Sequence, residues 1–572
     1  MISRRLVVLA LAVLPLAACA SIPERSDPMA VPPLVDHGVS RTTAPEPPRA
    51  TDAVDIVRSF VDSGSTRETG FAFARSHLTP EAERRWEPAS SVLIVDNIDT
   101  IPVPPAPGQP EGDRVVSLQA DRVGRLRADS SFVPETGSFE VRVPVQRGRD
   151  GRWLITAPPS DMVISRTSFE NDFMPVPIYF ADHDGTGVVP DLRWIGSQPD
   201  STLPRRVVEL LIGGPSEGFK KAMASRLPAG ANLKTNATEA DDGALVVNLG
   251  ELGEPDLEAR RMIAAQVVLS LQSVSKARVR LQEDGVALLP DKPDLQPADV
   301  ASHESDNALR PGTPGLVIIG ERLHVLDENT RPIPGPAGSG ALEVLQAAQS
   351  IDGSRLAAVT RNPTGQVDLR IGAYASSDLP GVPLTGSFMS RPSWRDDNEV
   401  WTVVNGRDVF RAIDENGTWT VRPVDVAEFA AGREIKELRL SHDGTRAVGV
   451  VDGNLVVAGV VDEDGRVALR NPVVLGADRG FDVTHVDWLT DRSLVATTDG
   501  SSPVMEVSVD GFKWTGYASA NLTQPINAVT VGPGKRVVVA DQSWLWEAGE
   551  PKAVWSLLPG QIGGNSIPLF PG

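Results

Sequence analysis

Three short stretches carry residue types that nucleophilic chemistry uses. Gly214-Pro215-Ser216-Glu217-Gly218 matches G-x-S-x-G, in which a strained turn from a strand into a helix presents a serine hydroxyl for acyl transfer. Ser273-Val274-Ser275-Lys276 matches S-x-x-K and Ser305-Asp306-Asn307 matches S-D-N, two motifs of serine acylation. The surroundings do not fit that chemistry. A helix beginning near Pro204 precedes Ser216 where a strand is needed, no oxyanion loop is visible, and Gly213-Gly214 reads as a helix stop. Ser273 falls at the end of a helix, Ser305 lies in a linker, and no Lys-Thr-Gly follows. The expectation is that none of these residues is catalytic.

Metal and cofactor chemistry has little to build on. The histidines (His37, His77, His183, His303, His324, His442, His485) are scattered, with no pair three or four residues apart, and there is one cysteine, so a zinc site is not expected. Asp182-His183-Asp184-Gly185 and Asp462-Glu463-Asp464-Gly465 suggest calcium turns, but neither runs on to a glutamate at the twelfth loop position, and solvated β-turns are the better reading. No phosphate loop or dinucleotide fingerprint occurs. No metal and no cofactor is expected.

The single cysteine, Cys19, is the exception. Arg4-Arg5 precede the apolar run Leu6–Leu14, which is too short for a membrane span of about 20 residues but fits the core of a signal peptide. Leu16-Ala17-Ala18-Cys19 then resembles the lipobox of bacterial lipoproteins. That resemblance implies cleavage between Ala18 and Cys19, an S-diacylglyceryl group on the thiol and an N-palmitoyl group on the new amino terminus. Two or more acyl chains, at about 0.8 kcal/mol per buried CH₂, hold to a bilayer where one binds only marginally.

Composition agrees with export. With no second cysteine the chain forms no internal disulfide, so stability must come from cores. Its 572 residues have room for three or four domains. The net charge of −20 becomes −22 when Arg4 and Arg5 leave with the leader, which argues against nucleic acid and against adhesion of the protein surface to anionic lipid.

The elements that must position everything else fall into modules. Residues 1–18 read as the signal peptide. Residues 19–50 read as a tether, with seven prolines between 20 and 50 and an extended reach on the order of 90 Å. In 51–170, Val54, Val57 and Phe60-Val61 recur at helical spacing, a second helix is expected around Phe71–Leu78, and Thr79-Pro80 marks a third. Phe139, Val141, Val143 and Val145 alternate with polar residues as a half-buried strand, and "DGRWLITAPP" supplies a turn and another strand. This order resembles the cone-shaped α+β fold of nuclear transport factor 2. In 171–290, strand, turn and strand ("VPIYFADHDGTGVVPDLRWI") precede the helix ending in Gly-Pro-Ser. The strand "GALVVNLGEL" follows, then an amphipathic helix with Ile263, Val267, Leu271 and Val274 on one face, then a closing strand. That order resembles the small α/β GerMN domain of sporulation and germination proteins, an interaction module with no established chemistry. Residues 291–312 read as a linker.

Residues 313–572 read as a repeat array. Asp352, Asp397, Asp443, Asp491 and Gly534 occupy like turns separated by 45, 46, 48 and 43 residues. A period of about 40–45 residues with several short strands is that of a β-propeller blade. Eight of the eleven tryptophans lie in 394–555, where bulky rings can fill the gaps between blades. Five cycles are visible, with strands left over at 315–327 and 563–571. Pairing Ile567–Phe570 with Leu316–Ile319 would close a sixth blade from both ends, with five or seven blades as alternatives. The fold class is therefore multidomain and mainly β: an α+β cone, a small α/β domain and a propeller.

Taken in order, lipobox, tether, α+β domain, GerMN-like domain and propeller resemble the LpqB family of lipoproteins of high-GC Gram-positive bacteria over nearly the full length. The resemblance implies an accessory lipoprotein on the outer face of the cytoplasmic membrane, held to the lipid bilayer by its acyl anchor. It also implies a partner, the extracytoplasmic domain of a membrane sensor histidine kinase (MtrB), with effects on cell-wall metabolism and division. The alternative is a protein that binds or processes cell-wall glycan on the propeller face; clustered exposed aromatics among Trp394, Trp401, Trp488, Trp544 and Trp546 would favour it.

Overall fold

The computed structural model describes residues 50–572 except 51, 64–69, 305–308, 310, 311, 478, 559 and 561. The expected leader, Cys19, most of the tether, His37 and Ser305-Asp306-Asn307 lie outside the described residues.

In the first domain Asp52 caps the helix Ala53–Val61 by accepting from the Val54 N–H at 3.2 Å. Ile56, Val57, Phe60 and Val61 are buried on the face laid against a curved sheet. Strands follow the spatial order Trp153–Ile155, Ser138–Arg147, Asp113–Leu126, Val92–Val103 and Met162–Ser165, the last parallel to its neighbour. Two register shifts in Val92–Val103 bend that 12-residue strand around the helix. The expected alternation holds: Val143 and Val145 are buried while Glu140 and Arg142 are exposed. The helix expected around Phe71–Leu78 is only Ala72–Arg75, but Thr79 does cap Pro80–Arg85, accepting from the Ala82 N–H at 3.3 Å.

In the second domain the hairpin Phe173–Ala181/Val188–Gly196, the helices Leu203–Gly213 and Leu257–Leu271, and the parallel strands Leu245–Gly250 and Val279–Glu283 appear in the expected order. Gly214 ends the first helix at φ +84°, a left-handed position that favours glycine. The second helix is not amphipathic in place: every residue from Met262 to Leu271 is buried. Its polar members explain how. Gln266 Nε2 donates to the Tyr179 carbonyl at 3.0 Å, and the Ser270 hydroxyl accepts from the Tyr179 N–H at 2.9 Å. Two helix side chains thus serve the Tyr179 backbone on the strand edge facing away from Val188–Gly196, next to the Ala181–Ala224 bridge. The segment expected as a linker, 291–312, is partly structured. Asp294–Leu295 pairs with Val279–Arg280, and Val300 of the helix Pro297–Val300 enters the domain core.

The third domain is a six-bladed ring. Blade one is Glu343–Gln349, Arg355–Arg361, Val367–Ala373 and Gly381–Gly386. Blade two is Ser393–Asp396, Glu399–Val404, Asp408–Glu415 and Thr418–Val424. Blade three is Ile435–Leu440, Arg446–Val451, Asn454–Glu463 and Arg466–Leu475. Blade four is Val483–Thr490, Ser493–Thr498, Val504–Ser508 and Trp514–Gly516. Blade five is Ala528–Gly532, Arg536–Ala540, Leu545–Ala548 and Ser556–Leu557. Blade six is made from both ends: Ile567–Leu569 is its inner strand and Leu316–Ile319 and Arg322–Val325 follow outward. Leu316 faces Leu569, Val317 faces Pro568 and Ile318 faces Ile567, which is the clasp expected from the leftover strands.

The turns of blades one and three share one chemistry. In Ser441-His442-Asp443-Gly444-Thr445-Arg446 the Ser441 hydroxyl donates to Asp443 at 2.7 Å, and Asp443 also accepts from the Thr445 N–H at 2.9 Å. Ser350, Asp352 and Ser354 repeat this in blade one at 2.6 and 2.9 Å. Burial alone would raise the Asp443 carboxyl, but Arg446 and the hydroxyls of Thr445 and Ser441 hold it at about 2. The tryptophans stitch neighbours: Trp394 of blade two donates to Ala348 O of blade one at 3.1 Å, and Trp488 of blade four to Arg439 O of blade three at 3.3 Å.

Candidate functional site

The G-x-S-x-G match lies at the junction of all three domains. The Ser216 hydroxyl donates to Asp191 Oδ1 at 3.1 Å and its N–H to Oδ2 at 2.7 Å. Arg193 reaches the same carboxylate through Nε at 3.1 Å and Nη2 at 2.7 Å, and this ion pair is 1% and 2% exposed. Arg193 also donates to Gly214 O at 3.0 Å and, in the first domain, to Asp129 O at 2.5 Å. The Glu217 N–H donates to Asp129 Oδ2 at 3.1 Å. From the propeller, Asn471 Nδ2 donates to Glu217 O and Gly218 O at 3.4 and 3.3 Å. A hydroxyl that donates into a carboxylate already paired with a guanidinium has no base to take its proton. Ser216 is a buried member of the hydrogen-bond set that joins the three domains.

Further contacts extend the junction. Arg446 of blade three donates to Pro190 O of the second domain at 3.2 Å. From blade four, the turn after Val504–Ser508 pushes Phe512 into the first domain's core, with its ring 5.1 Å from Phe132, 5.0 Å from Phe169 and 4.9 Å from Trp194. Asp510 on the same turn accepts from Trp194 Nε1 at 2.7 Å, and burial pushes its carboxyl up. Nothing in the period of the repeat signals this contact; the same Ser-x-Asp-Gly spacing at Ser508-Val509-Asp510-Gly511 was the one available sign.

The other sequence candidates resolve plainly. Asp182 accepts from the Thr186 and Gly187 N–H groups at 3.0 Å each, and Asp462 from the Gly465 N–H at 2.8 Å, so both are turns. Among the described residues no three His, Cys, Asp or Glu side chains gather as a metal site. Ser273 and Lys276 lie past the helix end Leu271 and help line a 660 Å³ cleft between the second domain and blades three to five. Of the five tryptophans named for glycan, Trp394, Trp401 and Trp488 are buried, and only Trp544 is well exposed, so no aromatic rim forms from them.

The propeller channel is plugged midway by buried polar groups. Arg439 Nε lies 3.3 Å from Asp487 and its Nη1 donates to Pro392 O at 2.8 Å. Arg391 donates to Phe570 O at 3.1 Å, and the Asp487 carboxylate accepts from the Val531 N–H at 3.2 Å. Burial pushes the Asp487 carboxyl up, but Arg439, Arg391, His442 and the Trp488 N–H together hold it below the usual carboxylate range.

Comparison with known proteins follows the same divisions. The family model described as Lipoprotein LpqB, N-terminal domain, matches residues 46–170, that described as Sporulation and spore germination matches 177–289, and that described as Lipoprotein LpqB beta-propeller domain matches 320–571. Lipoprotein LpqB of Rhodococcus jostii (strain RHA1) is 32% identical, over 97% of this chain and 96% of its own length. The chain belongs to the lipoprotein LpqB family. LpqB relatives of Rhodococcus opacus (strain B4) and Mycobacterium tuberculosis (strain CDC 1551 / Oshkosh) are 32% and 29% identical, over 99% and 97% of this chain and 97% of their own lengths in both cases. The LpqB family thus spans the α+β, germination-type and propeller domains, and its name marks a lipoprotein. Among the described residues no helix is long and apolar enough to cross a membrane.

The junction predicts a graded mutational response. Ser216→Ala is expected to cost about 1 kcal/mol, one hydrogen bond. Asp191→Ala strands the buried Arg193 charge and is expected to cost about 3–5 kcal/mol. Thermal melts check both, and covalent labelling of Ser216 by a serine-reactive fluorophosphonate would refute its structural role.

Proposed function

We propose that this LpqB-family chain is a binding lipoprotein, not an enzyme, held by acylated Cys19 on the outer face of the cytoplasmic membrane. There it engages the extracytoplasmic domain of a sensor histidine kinase and tunes its signalling. The observation that carries the reading is the junction at 214–218. The stretch closest to hydrolase chemistry is spent on locking three domains into one body, which suits a scaffold that presents surfaces in fixed relation. The family resemblance over nearly the whole chain is what supports the kinase as partner. The acidic balance supports a body that stands off anionic lipid while the acyl chains anchor it.

In-cell crosslinking followed by capture of the lipidated protein tests the partner. A sensor histidine kinase among the captured membrane proteins is the expected result, and capture of glycan synthases or hydrolases without a kinase would overturn it. Anchoring is tested separately: Cys19→Ser removes the acceptor sulfur, so acyl label and cleavage before residue 19 should both be lost. Acyl chains persisting on that variant would refute the assignment.

A further inference from the structure

The six inner strands run the same way along the channel, so their ends share one face and their starts the other. The ends, with Ser441, Trp488 and Gly532, face Tyr179 and Pro190 of the second domain across the 660 Å³ cleft. The starts surround a separate pocket of 420 Å³ that no described residue of the first two domains lines.

The floor and the wall of this pocket have different chemistry. At the floor Arg391 is 6% exposed; its Nη1 stands 3.8 Å from Asp487 Oδ2, and its Nε makes no hydrogen bond among the described residues. Arg439, 3% exposed, draws on the same carboxylate. Both guanidiniums draw on the Asp487 carboxylate, and Arg439 Nη2 also donates to Gly572 O at 3.3 Å, while the unpartnered Nε of Arg391 is the group an added carboxylate can take. Burial, then repulsion from Arg439, pushes the Arg391 guanidinium down to about 10. On the wall the buried Glu437 faces His485, with its Oε2 3.3 Å from Nδ1 and also accepting the Val486 N–H at 3.3 Å. That contact orients the ring through Nδ1 and leaves the Glu437 carboxylate as the acceptor on the wall. Glu437 with the exposed Glu434 offsets Lys436, and the amides of Gln346 and Asn527 complete the lining. The floor donates to an anion; the wall accepts from a donor.

We propose that this open mouth of the propeller binds a small hydrophilic molecule bearing a carboxylate and, beside it, an amino or hydroxyl group. The carboxylate sits on Arg391, and the donor group faces Glu437 and His485. The volume is at the small end of ligand pockets and suits one sugar ring or a very short peptide. The same chemistry comes from a peptide end or from a sugar acid. The proposal does not depend on the kinase reading.

Calorimetry on the full-length processed protein distinguishes these sources, using alanyl-alanine for the peptide and glucuronic acid for the sugar acid, with acetate as the anion-only control. Saturable binding of alanyl-alanine or glucuronic acid is expected, with acetate weaker by about tenfold or more, since a hydrogen bond to a charged group contributes about 1.5–3 kcal/mol. Arg391→Gln should reduce binding by a similar factor. Because Arg391 also holds Phe570, His485→Ala serves as the variant that leaves the plug untouched, and it too should weaken binding about tenfold while the melting temperature holds. The proposal is overturned if neither probe saturates by millimolar concentration, if acetate binds as well as the better probe, or if both variants bind as the parent does.

Discussion

Removal of residues 563–572 is expected to lower the propeller's melting transition by about 10 °C or more. The deletion takes the inner strand of blade six, and with it Leu569 and Phe570, which are 0% and 2% exposed. Phe570 packs so closely that a Cβ built on Gly315 or Gly532 would come within 2.8 and 2.7 Å of its ring. Its N–H donates to Thr530 of blade five at 3.1 Å and its carbonyl accepts from Arg391 beside blade two. Emptying such sites costs about 3–5 kcal/mol for a phenylalanine and 2–5 for a leucine, and each kcal/mol moves the midpoint of a domain this size by about 2–4 °C. The exposed edge of Leu316–Ile319 adds a tendency to self-associate. A scanning-calorimetry transition unchanged by the deletion would refute the clasp as a stabilising element.

Phe512→Ala is expected to loosen the first domain while sparing the blades. The ring is 4% exposed and belongs to the core built from Phe132, Phe169, Phe173 and Trp194, although it is carried by a propeller turn. Arg166 lies over its face at 5.5 Å and donates to its carbonyl at 3.4 Å. Loss of the ring costs about 3–5 kcal/mol by the same cavity argument. Hydrogen exchange reads where that cost falls: faster exchange in 162–173 and around Phe132, with protection in Leu438–Leu440 and Val448–Val451 unchanged. Equal exchange in parent and variant would show that the turn rests on the first domain without supporting it.

Periodicity and punctuation alone carried much of the architecture. The Ser-x-Asp-Gly turns of blades one and three are held by local hydrogen bonds from Ser, Thr and backbone N–H groups, so they are written in consecutive residues and survive translation into blades. The leftover strands at both ends implied the clasp, because an open ring leaves edges that closure removes. The cap residue Thr79 marked its helix for the same local reason. Helix Leu257–Leu271 shows where local reading stops. Its pattern is that of a one-sided helix, yet Gln266 and Ser270 are fully buried, because the backbone of Tyr179, some 90 residues away, needs a donor and an acceptor there. The fates of Ser216 and Phe512 are of the same kind. Which carboxylate meets a hydroxyl, and which core accepts a ring from another domain, depends on surfaces brought together by the chain's long-range packing. So does the pairing of Arg391, Arg439 and Asp487, which lie 48 residues apart in turn and become neighbours only when blades two, three and four share one axis.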